Sequence, residues 1–215
     1  MIKGVIFDLD GTLIDSMKIW YSIDRGFLRE NGVTSPPEDI SDRMKKLTVD
    51  ESAEVFINEF HLSLSKPQVI SRIEEMVREE YEQNIPLKPF AAEMAQYLSK
   101  KGILCGVATA TYKNLAQAVL HRCGIDSLFR FILTDAEYPM GKRFPDIFLG
   151  GAKMLGCAPG ETLVIEDSLH CIETAADAGF LTAGVYDEAS AGDAEAIRQR
   201  ADYYFNDLSD LKRLV

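Results

Sequence analysis

Five short apolar runs, at residues 2–7, 103–108, 131–134, 162–165 and 181–185, alternate with amphipathic segments along most of the chain. Unbroken apolar strands are buried on both faces, and the helices between them supply the cover. The alternation predicts an α/β fold, a doubly wound parallel sheet with helices on either side. One interval breaks the rhythm. About 90 residues separate the first run from the second, far more than a simple crossover needs. Helix-compatible spacing over 14–29, 50–60 and 66–81, with Val33-Thr34-Ser35-Pro36-Pro37 as a loop, predicts a small α-helical cap inserted there. The expected boundaries put a core at 1–14 and 87–215 and the cap at 15–86, with Pro86 and Pro89 stiffening the return. Residues 90–101 then read as a helix closed by Gly102.

Composition narrows the classes of function. The net charge of −11 disfavours a surface for nucleic acid or anionic membrane, since both require clustered Lys and Arg. No apolar stretch approaches the roughly 20 residues of a membrane span. The amino terminus reads as a core strand with no leader before it, so a cytoplasmic location is expected. Cys105, Cys123, Cys157 and Cys171 form no C-x-x-C pair, and His61, His121 and His170 are scattered. Free thiols are therefore expected, and no His/Cys metal centre. No heptad seam suggests a dimer, and a monomer is expected.

The chemistry-bearing residues follow the apolar runs. The first run stops at Asp8-Leu9-Asp10-Gly11-Thr12, the second at Thr109-Ala110-Thr111, and the fourth at Glu166-Asp167-Ser168; Gly141-Lys142-Arg143-Phe144-Pro145-Asp146 follows the third. Parallel strands present their carboxyl ends at one edge, so these groups can converge there. Oxygen-rich carboxylates suit Mg²⁺, while a Lys and a Thr can hold phosphoryl oxygens. One carboxylate can attack phosphorus, and a second two residues on can protonate the leaving oxygen. Each group alone also has a plain structural use, as a turn residue, a helix cap or a solvated loop charge.

Taken together, the four motifs resemble those of the haloacid dehalogenase superfamily, in its branch of phosphatases and phosphomutases. Asp8-Leu9-Asp10-Gly11-Thr12 matches the first motif, Thr109 the second, Lys142 ahead of Pro145-Asp146-Ile147-Phe148 the third, and Glu166-Asp167 the fourth. The resemblance implies a Rossmann-like core, a Mg²⁺ cofactor and a small phosphorylated metabolite as substrate. It makes Asp8 the nucleophile that becomes an aspartyl-phosphate, and Asp10 the general acid and base whose backbone carbonyl also reaches the metal. Asp167 is then the second carboxylate ligand, supported by Glu166, while Thr109, Ala110 and Lys142 grip the phosphate. The second aspartate, Asp10, disfavours halide displacement.

Enzymes similar to β-phosphoglucomutase share this cap position. By that resemblance the cap closes over the site, and its candidate substrate contacts are Met17, Trp20 and Tyr21, then Arg43, Lys45, Lys46 and Thr48. The mutases carry a His where Trp20 aligns, and an Arg in a Gly-containing loop where this chain has Lys46-Leu47-Thr48-Val49-Asp50. Both departures point to a hydrolase, with Arg43 or Lys45 in place of the missing charge. A phosphomutase is the alternative, and a non-catalytic binder of phosphorylated ligands a third reading.

Overall fold

Residues Gly4–Phe7 form β1, a strand buried along its whole length. The computed structural model describes residues 1–44, 49–134 and 136–215, with the backbone alone at Trp20, Tyr21, Asp42, Val49 and Asp50. Leu104–Ala108 (β2), Phe129–Leu133 (β3), Thr162–Glu166 (β4), Leu181–Val185 (β5) and Tyr203–Phe205 (β6) complete one parallel sheet in the order β3-β2-β1-β4-β5-β6. β1 therefore lies between β2 and β4, with Phe7 level with both Val107 and Ile165. The chain winds outward in one direction through β2 and β3, then in the other through β4, β5 and β6. That reversal puts the switch point at the end of β1, where α/β sheets open a crevice for ligands.

The α/β sheet and the inserted helices match the pattern of apolar runs, and two differences have physical causes. β6 escapes the sequence pattern because it is three residues long and only Phe205 in it is buried. The helix expected from residue 14 starts later, at Ile19. Before it the chain makes a turn, in which the N–H groups of Leu13 and Ile14 both donate to the Leu9 carbonyl. Ile14 then bridges antiparallel to Leu87, while Asp15 N–H donates to the Pro86 carbonyl and Lys88 N–H to that of Leu13. The outgoing and returning segments are thus hydrogen-bonded to each other.

Two units result, one of Met1–Ser16 with Ile85–Val215 and one of Met17–Asn84. The smaller holds Ile19–Glu30 (α1), Ile40–Met44 (α2), Val49–Glu59 (α3) and Lys66–Gln83 (α4). Its interior is apolar, with Phe27 of α1 and Phe56 of α3 fully buried at a ring separation of 5.3 Å. Arg72 of α4 forks onto both carboxylate oxygens of Glu30, at 3.0 Å each. Inside this unit one acid is out of place. Asp24 of α1 is 5% exposed, and burial pushes its carboxyl up to about 6, with the Ser41 hydroxyl of α2 opposing the rise. Because the folded value lies above the unfolded one, the linked stability is complete below about pH 4 and is lost as pH rises through about 6. Asp24→Asn removes this loss. Between pH 4.5 and 7.5 the variant should gain about 2 kcal/mol on wild type in urea denaturation, and parallel pH profiles would absolve Asp24.

In the larger unit Ala91–Lys100 (α5), Lys113–Arg122 (α6), Asp146–Leu155 (α7), Leu169–Asp177 (α8) and Ala194–Arg200 (α9) cover the sheet. Ile6, Phe131, Leu133 and Val164 pack on one face with Ile147, Phe148 and Ala152 of α7 and Cys171 and Ala175 of α8. Val5 and Phe7 alternate to the opposite face and are equally buried. Gly151 lets α7 sit against β1, since a Cβ there would come within 2.8 Å of Ile6 Cδ1. This close seat brings the turn ahead of α7, which carries Lys142, to the end of β1. The four cysteines are free. No helix among the described residues is long and apolar enough to cross a membrane.

Candidate active site

Asp8 is the first residue beyond β1, and its N–H donates to the Ile165 carbonyl of β4 at 2.9 Å, which fixes where its side chain leaves the sheet. Its carboxylate is 5% exposed. Lys142 lies in a 3-10 turn, Gly141–Arg143, and its buried ammonium bridges two acids: Nζ is 2.5 Å from Asp8 Oδ1 and 2.5 Å from Glu166 Oε1. The other Glu166 oxygen accepts from the Ser168 N–H at 3.0 Å. Asp167 closes the group. One carboxylate oxygen each from Asp8, Glu166 and Asp167 lies within 4.8 Å of the others. Gly11 makes this approach tolerable, because at φ +82 its backbone passes where a Cβ would stand 2.8 Å from Asp167 Oδ2.

Asp10 faces another set of partners. Its Oδ1 accepts from Ser16 Oγ at 2.7 Å, and its Oδ2 from Thr111 Oγ1 at 2.6 Å and, at the longer 3.4 Å, from Thr109 Oγ1. Two aspartates a residue apart are therefore held separately, one beside an ammonium and the other among hydroxyls. Thr109 is buried and also accepts from the Thr111 N–H at 3.0 Å, while Ala110 between them is exposed.

Electrostatics follow from three carboxylates and one ammonium out of water. Burial alone would drive proton loss from Lys142, yet Asp8 and Glu166 outweigh it and hold the ammonium well above its usual range. Asp8 is raised well above the ordinary carboxylate range by burial, then by Glu166, Asp167 and Asp10, with Lys142 opposing. Asp167 is pushed up to about 7 by burial and by Glu166, while the Ser190 hydroxyl and Lys142 pull the other way. The cluster is short of positive charge. An all-oxygen, carboxylate-rich donor set in a confined site fits a hard divalent cation such as Mg²⁺. The carboxyl group of Asp10 is turned to its hydroxyl partners and is not one of the three in this cluster.

The structure brings Asp8, Glu166, Asp167 and Lys142 together and sets Asp10 and Thr109 beside each other. In the smaller unit, Arg43 is engaged elsewhere, forking onto Glu59 through a 2.9 Å Nη1–Oε1 bond and a second bond from Nη2. Lys45, Lys46 and Thr48 lie outside the described residues, as do the side chains of Trp20 and Tyr21. Ser16 and Ser190 were not among the expected site residues, and Thr111 was expected at the sheet edge without a role of its own. Ser16 and Thr111 sit close to motif residues in the chain, a usable signal, whereas Ser190 lies 23 residues beyond Asp167 with no motif around it.

Comparison with known proteins identifies the family. A family profile of haloacid dehalogenase-like hydrolases matches residues 5–185. The chain is 28% identical over 188 residues to an N-acetylmuramic acid 6-phosphate phosphatase of Pseudomonas aeruginosa, covering 86% of this chain and 81% of that one. It is 26% identical over 209 residues to a β-phosphoglucomutase of Bacillus subtilis, covering 94% and 91%. The crystal structure of a candidate β-phosphoglucomutase from Thermotoga maritima superposes with a TM-score of 0.87 at 22% identity over the full length of both chains, a likeness of fold. With its four motifs at one sheet edge and a matching profile over most of its length, the chain belongs to the haloacid dehalogenase-like hydrolases.

Proposed function

We propose that this protein is a Mg²⁺-dependent phosphatase that removes phosphate from a small phosphorylated sugar through an aspartyl-phosphate on Asp8. The observation that carries the reading is the Lys142 bridge. A buried ammonium 2.5 Å from Asp8 holds one of its carboxylate oxygens in place and opposes the rise that burial and the neighbouring acids impose on its carboxyl. The N-acetylmuramic acid 6-phosphate phosphatase relative supports a sugar phosphate as the substrate class.

In this mechanism an Asp8 carboxylate oxygen attacks phosphorus and the bond to the sugar oxygen breaks, with Asp10 giving that oxygen a proton. Asp10, now ionised and held by Ser16 and Thr111, takes a proton from water as the water attacks the phosphorus of the acyl phosphate. Asp8 is thereby freed and inorganic phosphate released. Lys142 neutralises charge on Asp8 and on the phosphoryl oxygens, and Thr109 and Ala110 would grip the phosphate. Asp8, Asp167, Glu166 and the Asp10 carbonyl would hold Mg²⁺. Bound there, the ion lowers the repulsion between an anionic nucleophile and an anionic phosphate.

Phosphomutase activity is the second reading, favoured by the match to the Bacillus subtilis β-phosphoglucomutase over 94% of this chain. A panel of sugar monophosphates with Mg²⁺ separates the two. Release of inorganic phosphate without isomerised sugar is the expected result. Isomer formation stimulated by a sugar bisphosphate would reverse the ranking, and no turnover across the panel would leave a binding protein.

A further inference from the structure

Within the acidic cluster the three carboxylates are anchored differently. Lys142 bonds to Asp8 and Glu166, and the Ser168 N–H takes the second Glu166 oxygen. Asp167 relies on another segment. Its Oδ2 accepts from Ser190 Oγ at 2.6 Å, and Gly11 crowds it from the side of the first motif. Ser190 stands in the 3-10 turn Glu188–Asp193 that follows β5.

That turn is itself held in place. Asp187 accepts the Ala189 N–H at 2.8 Å through Oδ1 and the Lys88 ammonium at 2.6 Å through Oδ2. The pair is almost wholly buried, with the two side chains 14% and 4% exposed. Lys88 Nζ also donates to the Tyr186 carbonyl at 3.1 Å. Through its own N–H, Lys88 is bonded to the Leu13 carbonyl, one residue past the Asp8-to-Thr12 motif. A continuous set of contacts therefore runs from the first motif through Lys88, Asp187 and the Ser190 turn to Asp167, all within the larger unit.

We infer that Ser190 is a positioning residue for Asp167, and that the buried Lys88–Asp187 pair holds the turn that presents it. A hydroxyl that donates to one carboxylate oxygen restricts rotation of the group and leaves the other oxygen oriented for a cation. Such supporting hydrogen bonds tune metal sites as the ligands themselves do. Affinity for the divalent ion is then set partly by a turn that carries none of the four motifs. This inference rests on the metal reading above.

Direct titration with Mn²⁺, followed by loss of its free EPR signal, tests it without reference to turnover. Ser190→Ala should weaken Mn²⁺ binding by about 10- to 100-fold, whereas Ser190→Thr, which keeps the donor, should bind as wild type does. Asp187→Asn should shift affinity in the same direction as Ser190→Ala. In the phosphatase assay the alanine variant should need more Mg²⁺ for half-maximal rate yet regain the wild-type kcat at saturation, a recovery that a general folding defect would not show. Unchanged Mn²⁺ affinity in Ser190→Ala overturns the inference, as does a threonine variant as weak as the alanine one. Wild-type protein that takes up no Mn²⁺ overturns the metal reading itself, before any substitution is made.

Discussion

Asp8→Asn should lower phosphatase turnover by about 10³-fold or more while the protein stays folded and still binds phosphorylated ligand. The amide has the shape of the carboxylate but offers no anionic oxygen to phosphorus, so the attacking step is lost and the contacts around it persist. Lys142 keeps Glu166 as a partner at 2.5 Å, which limits the structural disturbance. The buried cluster also loses one of its three crowded carboxyl groups, so unfolding of the core is not the expected outcome. Release of phosphate from an aryl phosphate, read alongside circular dichroism, checks both halves. Turnover near the wild-type rate would show that another group attacks phosphorus.

Adding Mg²⁺ near neutral pH should raise the melting temperature, and chelation should abolish both the rise and the activity. The cluster of Asp8, Glu166 and Asp167 is buried with one bridging ammonium, so taking three carboxyl groups out of water is only partly compensated. An ion that binds only the folded chain stabilises it by mass action. At about 100 times its Kd the gain is about 2.7 kcal/mol, or some 5–10 °C in Tm for a protein of this size. Asp167→Asn should remove most of that shift. A protein that turns over sugar phosphate in excess chelator, with Tm indifferent to Mg²⁺, would rule out the metal reading.

The core of the fold was legible for a definite reason. β1, β2, β4 and β5 are buried on both faces of a parallel sheet, so they appear as unbroken apolar runs, and the polar residue that ends each run marks the carboxyl edge. The helices of the insertion were legible in outline, because α3 and α4 repeat apolar residues at helical spacing. α2 was not, since five residues give too little period to read. Nor was the late start of α1. Residues 14–18 hold helix-compatible residue types, but Ile14 is taken by the bridge to Leu87, a contact made across the insertion.

The candidate site divides in the same way. Asp8, Asp10, Thr109, Lys142, Glu166 and Asp167 stood out as polar residues at the ends of apolar runs, and their chemistry suggested phosphate and a metal. Local pattern could not show that Lys142 bridges Asp8 and Glu166, 134 and 24 residues away. It also could not show that Asp10 turns to Ser16 and Thr111, or that Ser190 holds Asp167. Burial and periodicity are properties of neighbouring residues, so the kinds of element, the insertion and the set of reactive groups were written in the chain itself. Which groups touch depends on strand order and on the paths of the loops between strands, and those are decided only when distant segments pack around β1.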